Sequence, residues 1–170
     1  NGLFFDDRRY DLAKVGRFKF NKKLSLATRI TGRIAYNDII DPETGEVLVE
    51  KDNSISEDTA IAIQNSGINV VDVKVEDKPV RIIGNGTVNI HSVLPNVNLS
   101  DLHIKEMVNY IVLKSIIDTT EEKELHDVIK ERIDELIPIH VTNEDIIAPI
   151  SYLLNLEHGT PSHDCLSDVF

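Results

Sequence analysis

Five basic side chains near the start of the chain have the chemistry to hold phosphate groups. Guanidinium and ammonium groups neutralise phosphates without reading bases, so they hold nucleic acid in a salt-dependent way with little sequence preference. The pattern therefore indicates a surface that faces a polyanion. These basic residues, all within the stretch LFFDDRRYDLAKVGRFKFNKKLSL, are Arg8, Arg9, Lys14, Arg17 and Lys19.

Aromatic residues accompany these cations. Tyr10, Phe18 and Phe20 are candidates for stacking on bases, although packing in a core is the more frequent fate of such residues. The segment reads as mostly helical, and Leu12, Val15 and Phe18 supply an apolar stripe along it. The basic side chains then fill the opposite face.

The charge is divided unevenly along the chain. The net charge is −11, yet the first 35 residues hold nine Lys or Arg against three Asp, and the remainder holds nine basic against 26 acidic residues. This asymmetry indicates an N-terminal segment that faces a polyanion and a body that nucleic acid would repel. A basic helix that pairs with the acidic body explains the same numbers, and both interpretations stay open.

Other chemistry is poorly represented. There is no phosphate-binding loop, no nucleophile with a spaced base and no pair of histidines at ligand spacing. His158, His163, Asp164 and Cys165 form the one cluster of metal-ligand types, but they lack a second pair, which favours surface residues without a metal. We also expect His126 to be solvated, and we predict no catalytic residue, metal or cofactor.

Two further stretches invite a functional interpretation. The glycines of GNGT, residues 84–87, would let a backbone approach a phosphate, but a hairpin turn between two strands is favoured. The acidic stretch 121–136 is either a docking face for a partner or a helix that its own charges keep soluble, and the second interpretation is favoured. Its acidic residues are Glu121, Glu122, Glu124, Asp127, Glu131, Asp134 and Glu135.

The region from residue 33 to residue 90 is predicted to be rich in strands. DPETG, residues 41–45, is a tight turn between two of them. Ser56 caps a short helix that Gly67 closes in a left-handed conformation. Residues 68–75 and 80–83 are strands, and GNG is the turn that leads into TVNI.

The rest of the chain is predicted to be helical, which makes the fold class α+β. The first helix, IKEMVNYIVLKSIID, carries apolar residues at helical spacing: Ile104, Val108, Ile111, Val112, Leu113 and Ile116. A capping box of Thr119 and Glu122 starts the second, which Pro138 ends and in which Leu125, Val128, Ile129, Ile133, Leu136 and Ile137 face inward. The third begins at Thr142 and Asp145 and ends at Gly159; Pro149 kinks it or moves its start later, and Ile146, Ile147, Ile150, Leu153 and Leu154 line its inner face.

The composition is that of a soluble globular protein, with 41% hydrophobic and 28% charged residues in 170. The single cysteine suits a reducing compartment, so the cytoplasm is expected. No apolar run approaches the roughly 18 residues that span a bilayer, and no secretory signal is present. Because the chain begins at Asn1, we expect an excised piece or a processed product.

The order F-F, R-Y-D-L, V-G-R, K-F-N in residues 3–24 resembles the lobe of the β subunit of bacterial DNA-directed RNA polymerase. A second stretch, TNEDIIAPISYLLNLEHG (142–159), resembles the lobe helix that follows in that subunit. In shorter members of the family the two stretches are near neighbours. The resemblance therefore implies an insertion at residues 31–140. This insertion is similar to the strand-rich β–β′ modules of polymerase subunits. Among β subunits, the chain is most similar to the clostridial type.

The resemblance implies an organisation in four parts. Residues 1–30 are the N-terminal lobe segment, 31–140 an inserted module (33–90 rich in strands, 100–137 helical), 141–159 the lobe helix and 160–170 a loose or divergent tail. Lobe helices thus flank the insertion. After Asp164 the family continues with DIDHLGNRR, whereas this chain reads CLSDVF, so we expect foreign or divergent sequence there.

The resemblance also implies a function. The lobe forms one wall of the channel that grips downstream DNA, and Arg9 resembles the arginine that approaches the non-template strand. The resemblance therefore makes Arg9 the first candidate for a DNA contact, and the weaker candidates are Arg8, Lys14, Arg17 and Lys19. The chain would then be a non-catalytic part of a nucleotidyltransferase, with the other polymerase subunits, the rest of β and DNA as partners and no membrane. Alternatively, the acidic insertion docks transcription regulators; an independent small enzyme is the least favoured interpretation.

Overall fold

The computed structural model describes residues 22–137 and 143–157, and their fold is α+β, as predicted. Short antiparallel strand pairs come first, and helices dominate after residue 110. The strands are β1 (Ile39–Ile40), β2 (Val47–Val49), β3 (Val70–Val75), β4 (Lys78–Ile83), β5 (Thr87–Val88) and β6 (Val108–Asn109). The helices are α1 (Leu26–Ile30), α2 (Glu57–Asn65), α3 (Ile90–Val93), α4 (Tyr110–Thr119), α5 (Leu125–Glu131), α6 (Ile133–Leu136) and α7 (Asn143–Glu157).

The hairpin β3–β4 is the longest sheet in the described residues and confirms the two strands predicted there. Six residue pairs link the strands, and Val71 and Val73 face the same buried side as Val80 and Ile82. Apolar residues at alternate positions of both strands produce this face. The two loop residues, Glu76 and Asp77, both have positive φ, as a two-residue turn of type I′ requires.

The predicted turn between β1 and β2 and the predicted ends of α2 are also confirmed. In the β1–β2 turn, the Gly45 amide donates to the Asp41 carbonyl at 2.8 Å, and Gly45 has a φ of +73°. The Ser56 side chain caps α2 by accepting from the Thr59 amide. Gly67, with a φ of +90°, follows the end of α2 in a left-handed conformation.

The predicted hairpin turn at GNG is wrong. Strand β5 pairs with β6, about twenty residues further along the chain, and not with β4. Asn69 redirects the backbone, because its carbonyl accepts from the Gly84 amide and its side-chain oxygen accepts from the Gly86 amide, both at 2.8 Å. The chain therefore leaves β4 and enters the second half of the fold.

The predicted helix over residues 104–118 forms only in its second part. Residues 104–107 are not helical, β6 follows them, and the Asn109 side chain caps α4 by accepting from the Val112 amide at 3.2 Å. Ile104, Val108, Leu113 and Ile116 are buried as expected, whereas Ile111 is 67% exposed. The apolar pattern runs across a strand and a helix, which is why it looked like one helix.

The acidic stretch is a 3₁₀ turn, Glu122–Glu124, followed by α5 and α6 rather than one helix. The predicted capping box is wrong, because the Thr119 hydroxyl donates back to the Ser115 carbonyl at the end of α4. The inward positions are confirmed, with Leu125, Ile129 and Leu136 buried and Val128, Ile133 and Ile137 packed against them. Pro138, Thr142 and Gly159 lie outside the described residues.

Buried side chains form three hydrophobic clusters. One joins α1, α2 and strands β1 to β4, and a second joins β5, α3, β6 and α4 to α6. The third is small and contains Leu24, Ala148 and Tyr152, with Leu156 packed against it. It connects the first described residues to α7, which lies last in the sequence.

Candidate functional site

The predicted DNA-contacting residues Arg9, Arg8, Lys14, Arg17 and Lys19 all lie outside the described residues. The same is true of the cluster His158, His163, Asp164 and Cys165. What the structure describes is the support to which the cationic segment is joined: residues 22–30, strand β4 and helix α7.

Leu24 anchors the start of the described chain on α7. Its side chain is 2% exposed and packs with Ala148 and Tyr152, which lie one turn apart on one side of the helix. Residues 22–24 are themselves helical. The cationic segment therefore leads directly into an anchored, buried position.

Arg29 is the central polar group of this support. It is only 3% exposed, its Nη1 donates to the Ile83 carbonyl at 2.5 Å, and its Nη2 donates to the Ser151 hydroxyl at 3.4 Å. Its guanidinium carbon also lies 5.6 Å from the centre of the Tyr152 ring, within the range of a cation–π contact. Burial lowers the pKa of Arg29 to about 10, so the side chain stays charged at neutral pH.

Two polar side chains of α7 bind the backbone of β4. The Ser151 hydroxyl accepts from the Ile83 amide at 3.2 Å, and the Asn155 side-chain amide donates to the Arg81 carbonyl at 3.3 Å. Both side chains are buried. Because Ile83 also bonds Arg29, three segments that are far apart in the sequence meet at the end of one strand.

The face of α7 that packs is not the predicted one. Ala148, Ser151, Tyr152 and Asn155 are buried, and the five large aliphatic residues predicted to face inward are about half exposed. Small and hydrogen-bonding side chains suit this contact, because they let the helix approach the backbone of β4 closely. Of the two alternatives for Pro149, a kink or a later start, the later start is wrong, because α7 begins at Asn143 and runs through Pro149.

The acidic body neutralises many of its own cations. Side-chain pairs join Lys74 to Asp52 at 3.2 Å, Arg81 to Asp72 at 3.0 Å and Arg132 to Glu135 at 2.7 Å. Lys123 pairs with Glu121 at 2.9 Å, and Lys114 pairs with Glu43. These exposed pairs contribute little to stability, but they leave less free positive charge on the body for a polyanion.

The sequence predicted a solvated His126, but in the structure its ring contacts two carboxylates. Its Nε2 lies 2.9 Å from the Asp101 carboxylate and its Nδ1 lies 3.3 Å from Asp127. The Asp101 hydrogen bond, followed by the Asp127 one, raises the pKa of His126, and the same bond to His126 lowers the pKa of Asp101. His126 borders an open groove of about 580 Å³ together with Glu121, Glu122 and Lys123.

We expect a pH-dependent contribution from this histidine. Since its folded pKa lies above the ordinary value of 6.5, the charged ring stabilises the fold below pH 6.5, and this stabilisation is lost as the pH rises through the raised pKa. Melting temperatures at pH 5.5, 6.5 and 8 should therefore fall more steeply for the wild type than for His126→Gln. His103→Asn, at an exposed histidine, should keep the wild-type slope. Equal slopes for the wild type and His126→Gln would contradict this prediction.

The described ranges lack two kinds of feature. Across residues 22–137 and 143–157, no three side chains of His, Cys, Asp or Glu gather closely enough to hold a metal ion. Over the same ranges, no helix combines the length and the apolar character that crossing a membrane requires.

Comparison with known proteins identifies the family. No family model matches the chain. It is 55% identical over 166 residues to the DNA-directed RNA polymerase subunit beta of Clostridioides difficile, an alignment that covers 96% of this chain and 13% of the relative. The chain is homologous to a region of the bacterial RNA polymerase β subunit. Other β subunits agree: that of Alkaliphilus oremlandii is 52% identical over 164 residues (95% of this chain, 13% of the relative), and that of Clostridium acetobutylicum 47% over 165 (96% and 13%).

The resemblance to a clostridial β subunit that the sequence motifs indicated is thereby confirmed. The chain spans about 13% of the length of the β subunits it matches.

The residues that build this support were not predicted from the sequence. Arg29 counted only as one of the nine N-terminal cations, although its place between Ala27 and Ile30 in a short apolar helix is a signal of burial. Ser151 and Asn155 stand four residues apart in an otherwise apolar helix, a spacing that puts both on one face. That pairing is the signal that could have found the buried face of α7.

Proposed function

We propose that this chain is a non-catalytic part of the RNA polymerase β subunit, in the lobe that lines the downstream DNA channel. The observation that carries the proposal is the 47–55% identity to β subunits over about 95% of the chain. Nucleotidyl transfer then belongs to the complete cytoplasmic polymerase, whose other subunits, together with the rest of β, are the partners. The fragment itself supplies no catalytic group and no cofactor site.

The proposed role in DNA binding assigns phosphate contacts to Arg9 first, and then to Arg8, Lys14, Arg17 and Lys19. The structure supports this role indirectly in two ways. Leu24 and Arg29 fix the residues that follow the cationic segment, so the segment has a firm attachment. Five of the nine Lys and Arg residues that follow residue 35 are paired with carboxylates, which leaves less free positive charge on the body for a polyanion.

The proposed organisation treats residues 31–140 as a module inserted into the lobe. In support, the buried cluster around α4–α6 contains no residue of the flanking lobe pieces, and Leu24 meets α7 in a cluster of its own. The cluster around β3–β4 is shared, because α1 contributes Leu26, Ala27 and Ile30 to it. The lobe pieces on either side of the insertion, residues 1–30 and 141–159, would meet at that small cluster. Residues 160–170 are proposed to be a divergent tail.

Titration with duplex DNA tests the proposed function. We expect the chain to bind a short duplex weakly at about 50 mM salt and to lose that binding by tenfold or more at about 200 mM, because phosphate contacts release counterions. Arg9→Ala should weaken the low-salt binding several-fold. Fluorescence anisotropy of a labelled duplex measures both effects.

A matched control is available in the body of the chain. Lys78 is exposed on β4, away from the N-terminal segment, so Lys78→Ala should leave DNA binding unchanged. Binding that ignores salt, or an equal loss in Arg9→Ala and Lys78→Ala, would refute the channel-wall role.

A second candidate function is docking of transcription regulators on the acidic insertion. The observation that favours it is that all seven carboxylates between residues 121 and 136 are exposed, and that Glu121 and Glu122 border the groove at His126. The same titration separates the two functions. A chain that acts only as a docking module shows no salt-dependent binding of DNA and no response to Arg9→Ala.

A further inference from the structure

Helix α7 has a buried face with hydrogen-bonding side chains and, on the opposite side, an exposed apolar face. Ala148, Ser151, Tyr152 and Asn155 form the buried face, against residues 22–30 and β4. At about 100° per residue, the large aliphatic residues lie within a second arc of about 120° on the other side. They are Ile146 (52% exposed), Ile147 (47%), Ile150 (52%), Leu153 (49%) and Leu154 (57%).

An exposed apolar face of this kind is normally buried in a contact with another segment or protein. A helix that is hydrophobic on all sides is normally buried, and a continuous row of half-exposed aliphatic side chains marks a contact surface. The other exposed aliphatic residues are spread over several elements, whereas these five share one helix face. We call these five side chains the outer face of α7.

We infer that the aromatic N-terminal segment of the same chain, residues 3–20, packs on the outer face of α7. The first reason is proximity. Leu24 already packs on α7 at Ala148 and Tyr152, in the middle of the length that the outer face occupies. Residues 22–24 are helical, and at about 1.5 Å per residue the twelve residues from Leu24 back to Leu12 would span about 18 Å as a helix, which exceeds the helix diameter of about 10–12 Å.

The second reason is chemical complementarity. Residues 3–20 contain Leu12, Val15, Phe18 and Phe20, which are large apolar groups in a chain that has few aromatic residues. The sequence of α7 contains three acidic residues and no basic one, whereas the N-terminal segment has five basic residues against three Asp. Charge therefore favours this segment over a second copy of the chain, whose net charge of −11 is repulsive.

The inference adds a role for α7 to the proposed function without depending on it. Apolar side chains of the segment would lie on the outer face, and its cations would remain available to a polyanion. Helix α7 would then orient the cationic segment from one side, while Leu24 and Arg29 anchor its end.

Photochemical cross-linking in the full chain tests this inference. Ile150→Cys in a Cys165→Ser background gives a single thiol on the outer face, which is labelled with a benzophenone maleimide and irradiated at low protein concentration. We expect an adduct within one chain that maps by mass spectrometry to residues 3–20. Its yield should be several-fold higher than from Ile111→Cys, whose side chain is 67% exposed on α4. Leu153→Cys provides a second labelling position.

The variants of the segment make the test specific. Replacing Leu12, Val15 and Phe18 together with Ser should reduce the adduct to the Ile111→Cys level. Replacing Arg9, Lys14 and Arg17 with Ser removes the charge attraction but keeps the apolar contact, so the adduct should fall less than with the apolar substitutions even where DNA binding is lost, which separates this inference from the proposed function. An adduct with a second copy, an equal yield from Ile111→Cys, or an adduct that survives the apolar substitutions would overturn the inference.

Discussion

Replacing Arg29 with alanine is expected to lower the free energy of unfolding by about 3 kcal/mol. The substitution leaves the partly buried Ile83 carbonyl without its charged donor, a kind of hydrogen bond worth about 1.5–3 kcal/mol, and removes a packed aliphatic stem. It also removes the contact with the Tyr152 ring. Urea unfolding at pH 7, followed by circular dichroism, measures the change.

Two further substitutions serve as controls for Arg29→Ala. Arg29→Lys keeps a positive charge but cannot reach Ile83 and Ser151 with two nitrogen atoms, so it should lose an intermediate amount. Arg81→Ala removes an arginine of β4 that is 67% exposed and paired with Asp72, and should cost about 0.5 kcal/mol or less. If Arg29→Ala costs no more than Arg81→Ala, Arg29 does not hold the three segments together.

Gly67→Ala is expected to lower the free energy of unfolding by about 2–3 kcal/mol. Gly67 has a φ of +90°, where a side chain costs about 1 kcal/mol. A Cβ atom at this position would also lie only 2.2 Å from the ring of Tyr110, which packs against the second hydrophobic cluster and would have to move. Urea unfolding again provides the measurement.

The chain offers a control that separates the two costs. Gly45 has a similar φ of +73°, but a Cβ atom there meets nothing within 4 Å, so Gly45→Ala should cost about 1 kcal/mol. In a Tyr110→Ala background, the added cost of Gly67→Ala should fall to that same level. Equal costs for Gly67→Ala and Gly45→Ala in the wild-type chain would show that the Tyr110 contact is unimportant.

Local chemistry made much of the first half of the fold predictable. Alternating apolar residues identified β3 and β4, and Ser56 and Gly67 correctly marked the two ends of α2. Each of these signals acts within a few residues. The predictions therefore did not depend on which distant segment each element meets.

The errors arose where a distant partner decides the structure. Asn69 takes the backbone groups of Gly84 and Gly86, so β5 pairs with β6, and no local feature of GNG reveals that choice. In α7, the periodicity found a real apolar face, but Ser151 and Asn155 turned the opposite face to β4. A hydrophobic pattern shows which faces are apolar, whereas the polar partners on the facing strand determine which face packs there.

The salt dependence of DNA binding tests the central claim most directly. The logarithm of the binding constant should fall linearly with the logarithm of the salt concentration, with a slope of about −0.9 for each phosphate contact. Arg9→Ala should make that slope shallower by about 0.9, and Lys78→Ala should leave it unchanged. A slope in Arg9→Ala that equals the wild-type slope would contradict the assignment of this segment to the DNA channel.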